Sequence, residues 1–383
     1  MALTYPLPFP SGKTGWHWKL PLRFGQPPNP RNRITQQMWY RYVIFRRPGK
    51  FDLFKHARRL AQRCWVDALL AIEKERLKWI KTHQQELRAE MYRGVQDILA
   101  LNPTEIEFAQ QPDDSSAISR INILPSSHQG SDRHMRMLYQ ISMAIMRDSG
   151  NLSLFITFTA NPSQAEISDN LAENSEATYD PGLLATEFYK KLKGLIKDLS
   201  KDFGTHTGVC GTVEYQKRGL SCAHLLLFLS AADSFLDPKR IDNLICAETP
   251  TAEDDPTDHL RPLVEAYMIH SPCGEMNPNS PCMVTNRAGN RVCSKGYSKK
   301  KSDETLVSKH GYSCYRRRNG PTVTKTVSGR EFNFDNSWIV PYSPYLLLKY
   351  GCHANVEARE SVNPIRYIHK YVFKGEDRTT VGI

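Results

Sequence analysis

The alternation of apolar and polar positions divides the 383-residue chain into four stretches. From Leu53 to about Ala100, Trp65, Leu69, Ile72, Ile80 and Leu87 recur near the helical period, with Glu73, Lys74, Glu75 and Lys78 between them. Such a pattern predicts helix with an apolar stripe turned onto a neighbour. Before it, up to about Arg47, proline, arginine and aromatic residues crowd together, which predicts an irregular arm or docking strap. After the polar linker "QQPDDSSAIS" a helical pattern covers Met135 to Arg147, and "NLSLFITFTANP" reads as a β-branched and aromatic strand closed by the Asn161-Pro162 turn. An amphipathic helix follows through "LLATEFYKKLKGLIKDLSKDF", then the strands "GVCGTVEYQ" and "AHLLLFLS", joined by "KRGLS". Strand, helix and hairpin in that order predict an α+β fold, an antiparallel sheet flanked by helices.

Two further stretches complete the chain. The acidic linker "AETPTAEDDPTDH" leads into a Cys-containing insertion, "HSPCGEMNPNSPCMVTNRAGNRVCSKGYSKKK", and on to Arg316, Arg317 and Arg318. The last stretch, beginning "FDNSWIVPYSPYLLLKYGCHANVE", is compact and aromatic, and Pro364 stands where a helix can begin. The expected division is therefore 1–115 for the arm and helical lobe and 116–247 for a sheet-bearing core. The insertion takes 248–330, and 331–383 forms the C-terminal part of the core. No internal repeat is present.

Composition narrows the class. Forty per cent hydrophobic residues, with 17 Tyr, 15 Phe and 6 Trp, suffice for a sizeable core and exclude a disordered chain. No apolar run reaches about 18 residues and the N-terminus has no signal-like segment, so neither a membrane partner nor secretion is expected. An odd nine cysteines then read as reduced thiols or metal ligands. Fifty-one Lys and Arg against 40 acids give +11 and favour a polyanionic partner.

Three constellations carry candidate chemistry. In "VEYQKRGLSCAHLLLF", Cys222 and His224 share one strand face and the turn brings Glu214 and Gln216 alongside, so three or four ligand atoms converge on a divalent ion or on nothing more than a polar hairpin edge. Tyr367 and Tyr371 lie a helical turn apart with Lys370 beside them, which suits either a pair of phenolic nucleophiles with a cation or half-buried packing. His270, Cys273, Cys282 and Cys293 offer a closed structural zinc site, with Cys314 as a spare ligand and free thiols as the alternative. For gripping phosphates the candidates are Lys217, Arg218, Arg316, Arg317 and Arg318, with Lys299, Lys300 and Lys301 nearby and Tyr315 as a stacking surface.

In its ordered stretches the chain resembles the N-terminal, helicase-like region of Helitron transposases. The stretches are "VDALLAIEKERLKWIKTHQQELRAEMYRG", "LFITFTANP", "VEYQKRGLSCAHLLLFL", "MIHSPCGEMNPNSPCM", "GYSCYRRRNG", "DNSWIVPYSPYLLLKYGCHANVE" and "IRYIHKYVFKG". The resemblance implies an HUH-type sheet, whose name denotes a histidine, a hydrophobic residue and a histidine holding a divalent metal, with two tyrosine nucleophiles on a later helix. Position by position, the second metal histidine is His224, the middle residue Ala223 and the tyrosines Tyr367 and Tyr371, while the first metal histidine falls on Cys222. Ser221 stands where the family has proline, and Gln164 and Ala165 where it has tryptophan and proline. The family's large helicase domain is not found after Tyr371, twelve residues from the end, which reads as a truncated, domesticated or fragmentary copy.

The resemblance implies nicking of single-stranded DNA at transposon ends, in the nucleus, by tyrosine attack with magnesium or manganese. Cys222 weakens that expectation, because thiolate suits zinc or manganese better than magnesium. The alternative is an inactive remnant that binds single-stranded DNA.

Overall fold

The computed structural model describes residues 4–87 and 123–361, apart from 11–14, 23–31, 46, 48, 50, 151, 172, 217–218, 231–232, 234, 236, 287, 309–312 and 328. The chain forms two compact units, Met1–Met137 with Ala172–Asp180, and Leu138–Leu171 with Pro181–Ile383. None of the described helices is long and apolar enough to cross a membrane.

The first unit is helical. Among the described residues it contains α1 (Gln36–Ile44), α2 (Leu53–Ala57) and α3 (Arg59–Thr82). Helix α1 departs from the irregular arm expected up to Arg47, and the reason is local. No proline falls between Pro30 and Pro48, and Thr35 caps the helix by accepting the Met38 N–H at 3.2 Å. Tyr5, Phe54, Ala61 and Cys64 form its core, with Phe9, Val43 and Trp65 packed on them. Residues 173–179 join this unit through α3, where the Arg59 guanidinium donates to the Tyr179 hydroxyl at 2.7 Å and the Gln62 amide to the Thr178 carbonyl at 2.9 Å.

The second unit is built on a four-stranded antiparallel sheet. It begins with helix α4 (Asp132–Ser149), which enters from the first unit, then β1 (Leu152–Thr159), α5 (Ala165–Ser168), α6 (Pro181–Asp202), β2 (His206–Tyr215) and β3 (Ser221–Leu229). After α7 (Pro238–Leu244) and α8 (Leu260–Tyr267) come the hairpins β4–β5 (Met283–Thr285, Arg291–Cys293), β6–β7 (Leu306–Val307, Ser313–Cys314) and β8–β9 (Val323–Val327, Arg330–Phe334). Helix α9 (Pro344–Tyr350) and β10 (Ala354–Ser361) end the described chain, and the strand order is β10-β1-β3-β2. The fold is therefore α+β, with the C-terminal strand returning beside β1.

Alternation along the strands divides the sheet into two faces. Leu154, Ile156, Phe158, Leu225, Leu227 and Val356 meet Phe188, Leu192, Leu195 and Leu199 of α6, and Leu346 and Tyr350 of α9, in the largest core. Among the described residues, the opposite face is covered at one end, where Tyr139 and Ile145 of α4 pack on Phe155, Leu226 and Phe228. Helix α4 approaches β2 closely because position 208 is glycine; a Cβ there would lie 2.4 Å from the Ser149 hydroxyl. The other end of this face carries polar side chains.

Between β3 and β10, two segments far apart in the chain meet on a buried cation. Arg317 is 3% exposed, and its guanidinium donates to the carbonyls of Asn336 at 2.6 Å, Ile339 at 2.7 Å and Ala247 at 3.2 Å. On one side Arg318 forks onto Glu248, at 2.7 to 3.2 Å, and Arg316 reaches Glu248 at 3.5 Å and Asp242 at 3.7 Å. Burial opposes the Glu248 charge, but hydrogen bonds from Arg318 and the two guanidinium charges hold its carboxyl below the usual range.

Removing the Arg317 guanidinium strands three carbonyls, all held by its Nη1, each worth roughly 1–3 kcal/mol when buried without a donor. Arg317→Ala is expected to lower stability in denaturant titration by about 3 kcal/mol or more, and Arg317→Lys by at least about 1 kcal/mol, because the ammonium ends about one bond short of the Nη1 position. A loss within about 0.5 kcal/mol for both would refute this role.

Candidate functional site

The polar end of this sheet face gathers the hairpin residues. Register places Cys222 opposite Glu214 on β2 and Thr159 on β1, and His224 opposite Thr212 and Thr157. His224 Nε2 lies 3.8 Å from Glu214 Oε2 and 3.7 Å from Cys222 Sγ. On its other side the ring nitrogen Nδ1 meets Thr157 Oγ1 at 3.2 Å, and the ring lies parallel to Phe155 with centroids 6.0 Å apart. Phe155 and Thr157 thus fix the imidazole in plane and rotation, leaving Nε2 directed at the carboxylate and the thiol. An outer hydrogen bond on one ring nitrogen is how a ligating histidine is oriented.

Cys222 does not behave like the imidazole that the resemblance expects at its position. The side chain is 3% exposed and its sulfur rests 3.3 Å from Thr159 Oγ1. Burial pushes the thiol above its usual range and the Glu214 charge pushes further, so at neutral pH the group is a neutral thiol. Nitrogen from His224 and oxygen from Glu214 fit a divalent ion of intermediate hardness. The protonated sulfur is a poor third donor, least of all for magnesium. Gln216 stands at the end of β2, its backbone N–H closing the turn onto the Leu220 carbonyl at 2.9 Å.

A second cluster assembles in the insertion. His270, Cys273, Cys282 and Cys293 bring one ligand atom each within 4.8 Å of all the others, a group that could hold a metal ion. The β4–β5 hairpin pairs Met283 with Cys293 and the Ser294 N–H with the Cys282 carbonyl at 2.8 Å, which sets two cysteines at its base. His270 is fixed by its backbone N–H on the Trp338 carbonyl at 3.0 Å and by its ring, stacked on Tyr297 at 4.1 Å. Cys293 Sγ is 3.6 Å from His270 Nε2, close to the edge of about 3.8 Å in a tetrahedron with metal–sulfur bonds of about 2.3 Å. Burial, with help from Lys299 and Lys295, pushes the His270 imidazole down to about 4, so it is neutral and its lone pair is available. Burial and the neighbouring thiols push Cys273 up to about 12. Three thiols crowded in this way ionise together only with a cation among them.

All nine cysteines are free. Cys314, the spare ligand, is exposed on β7 and stands apart from the cluster. The triple arginine requires a correction: Arg317 is buried on carbonyls and cannot grip phosphate, and Arg316 and Arg318 are drawn onto Glu248 and Asp242. Tyr315 is likewise buried, its hydroxyl accepting the Ala358 N–H at 2.7 Å, and offers no stacking face. Lys301 pairs with Asp335 at 2.8 Å. Tyr367, Lys370, Tyr371, Lys217 and Arg218 lie outside the described residues. Thr157 and Thr159 were not singled out in the sequence, although alternation in "FITFT" puts both on one face.

Residues 39–227 match the family described as the Helitron helicase-like domain at the N-terminus. A comparison with curated proteins found no match. The matched region runs from within α1 through β1 and β2 to near the end of β3, and so contains both strands of the His224 hairpin. Residues 39–227 are thus a Helitron helicase-like N-terminal region.

Proposed function

We propose that this chain is the single-strand DNA endonuclease part of a Helitron-type rolling-circle transposition protein, an HUH-class site weakened at one position. The observation that carries the reading is the β2–β3 hairpin of a Helitron-family region, which sets His224 Nε2 3.8 Å from Glu214 Oε2 and orients the ring through Thr157. His224 and Glu214 would hold a divalent ion, with Gln216 or Cys222 completing the set. Such an ion polarises and positions a scissile phosphate.

The chain's own groups would do the rest. The phenolic oxygen of Tyr367 or Tyr371 forms a bond to phosphorus as the bond from phosphorus to the 3′-oxygen breaks. The leaving oxygen takes a proton, giving a 3′-hydroxyl and a 5′-phosphotyrosyl link, and Lys370 offsets the charge that develops on the phosphoryl oxygens. One phosphodiester replaces another, so ATP is not consumed. The substrate is single-stranded DNA at transposon ends, in the nucleus. Manganese serves better than magnesium because the neutral Cys222 thiol leaves the set one good ligand short. At the second cluster, three cysteines and a neutral histidine with no open position suit a structural zinc ion.

Labelled single-stranded oligonucleotides test the nuclease by denaturation-resistant adducts. The natural chain is expected to give a weak adduct with manganese and little with magnesium. Cys222→His should raise the yield by about tenfold or more, and the Tyr367→Phe, Tyr371→Phe pair should abolish it. No adduct from either the natural chain or Cys222→His leaves only DNA binding, and an adduct that survives the double tyrosine change overturns the mechanism.

Elemental analysis tests the zinc, with about one ion per purified chain expected. Cobalt exchange should produce thiolate-to-metal absorption that Cys273→Ser with Cys293→Ser removes, and chelation should change the fluorescence of Trp338, which lies against His270 at 6.4 Å. Metal-free chain with unaltered stability would count against it.

A further inference from the structure

Among the described residues, the outer face of α6 carries more positive than negative charge. Its exposed charged positions are Lys190, Lys193, Lys197 and Lys201, while of its acids Asp198 is buried and Glu187 and Asp202 are half-buried. Lys190 is offset by Glu187 at 2.8 Å. Among the described residues, Lys193, Lys197 and Lys201 make no ion pair, and they follow one another at four-residue spacing, the arrangement in which like charges on a helix repel. A face kept only for solubility mixes signs evenly. Here the lysines outnumber the acids, and among the charged side chains only lysines are fully exposed.

Aromatic rings interleave with the lysines. Tyr189 is 58% exposed beside Lys193, whose ammonium lies 4.6 Å from the ring centroid. Helix α9 lies against α6 at Gly194, where an added Cβ would be 3.1 Å from the Tyr350 hydroxyl. From α9, Tyr345 is 43% exposed and Lys349 sits 5.5 Å from its ring while pairing with Asp198 at 2.7 Å. The lysines span eleven residues of helix, about 16 Å, with a tyrosine on each of the two helices. Cations that track a backbone, together with exposed rings on which bases stack, are the physical requirements of a single-strand tract. A duplex uses the charge and gains little from the rings, because its bases are already stacked.

We propose that the outer face of α6, with Tyr345 and Lys349 of α9, is a second binding tract for single-stranded nucleic acid, on the side of the sheet opposite His224. The large core fills the space between α6 and the sheet, whereas His224 lies on the other sheet face. The tract therefore stands without the nicking reading, and it would hold a strand that is not in the cleavage site.

The test is anisotropy of a labelled thymidine oligonucleotide on the full chain, titrated across salt, with a uridine oligonucleotide, a duplex and phosphatidylserine vesicles as competitors. The combined change Lys193→Gln, Lys197→Gln, Lys201→Gln is expected to weaken binding tenfold or more. It should lower the salt slope by about 2, from three contacts at about 0.7 each. Lys74→Gln, Lys78→Gln, Lys81→Gln on α3 removes the same charge from exposed positions and should move neither quantity. Tyr189→Ala with Tyr345→Ala should weaken the single strand and leave the duplex unchanged; equal competition by uridine and thymidine oligonucleotides agrees with recognition of backbone and base faces alone. The proposal is overturned if the α6 change matches the α3 control, if the duplex or the vesicles displace the oligonucleotide more readily than single strands do, or if the tyrosine pair has no effect.

Discussion

A guanidinium with no carboxylate of its own organises the second unit. Arg317 is withdrawn from water, and the interior returns that solvation through three carbonyls from two separate segments, Ala247 after α7 and Asn336 and Ile339 before α9. Hydration lost by a buried charge is large, so these carbonyls have little freedom to move independently. Around this point Asn336 accepts the Thr249 N–H and donates to the Arg318 carbonyl, both at 2.9 Å. The 335–343 segment is fixed as a result, and from it His270 receives its backbone partner and Tyr342 bridges to Cys246 and Asn355. One cation thus connects the cysteine cluster to the edge of the sheet.

The sheet face sets an imidazole and a carboxylate side by side without giving them a third strong ligand. The imidazole of His224 is held by a hydroxyl and an aromatic ring that are indifferent to what occupies position 222. The pocket that receives Cys222 is dry, and a dry pocket favours an uncharged group. The Cys222 thiol therefore fills space and satisfies Thr159 while offering little to a cation. The cysteine cluster shows the converse: its thiols are crowded so tightly that a cation relieves them.

Much of the sheet was legible because its signals are local. β1 announces itself by β-branched and aromatic residues ending at Asn161-Pro162, the hairpin by its short turn, and α6 by its apolar period. The four ligands of the cysteine cluster were readable from residue type, although their spacing fits no familiar finger. Three features were hidden for separate reasons. Proline and arginine on either side of α1 masked a short proline-free segment with its own cap. The triple arginine resembles a solvated basic run until Glu248, some seventy residues earlier, is brought against it. The lysines of α6 were visible as half of an amphipathic pattern, but their separation from the acids depends on which side the core lies.

The return of β10 to the sheet bears on how the protein is made. β1 ends at Thr159 and its outer neighbour begins at Ala354, 195 residues later. Loop closure over such a span is slow, and a ribosome must complete the insertion and α9 before the strand exists. In that interval β1 can pair with β3 while its other edge stays open, an apolar strand free to join any passing backbone. Passage through synthesis, rather than the stability of the finished fold, is then the stage at which this chain is most exposed to aggregation, and the stage at which a nascent-chain chaperone has most to offer.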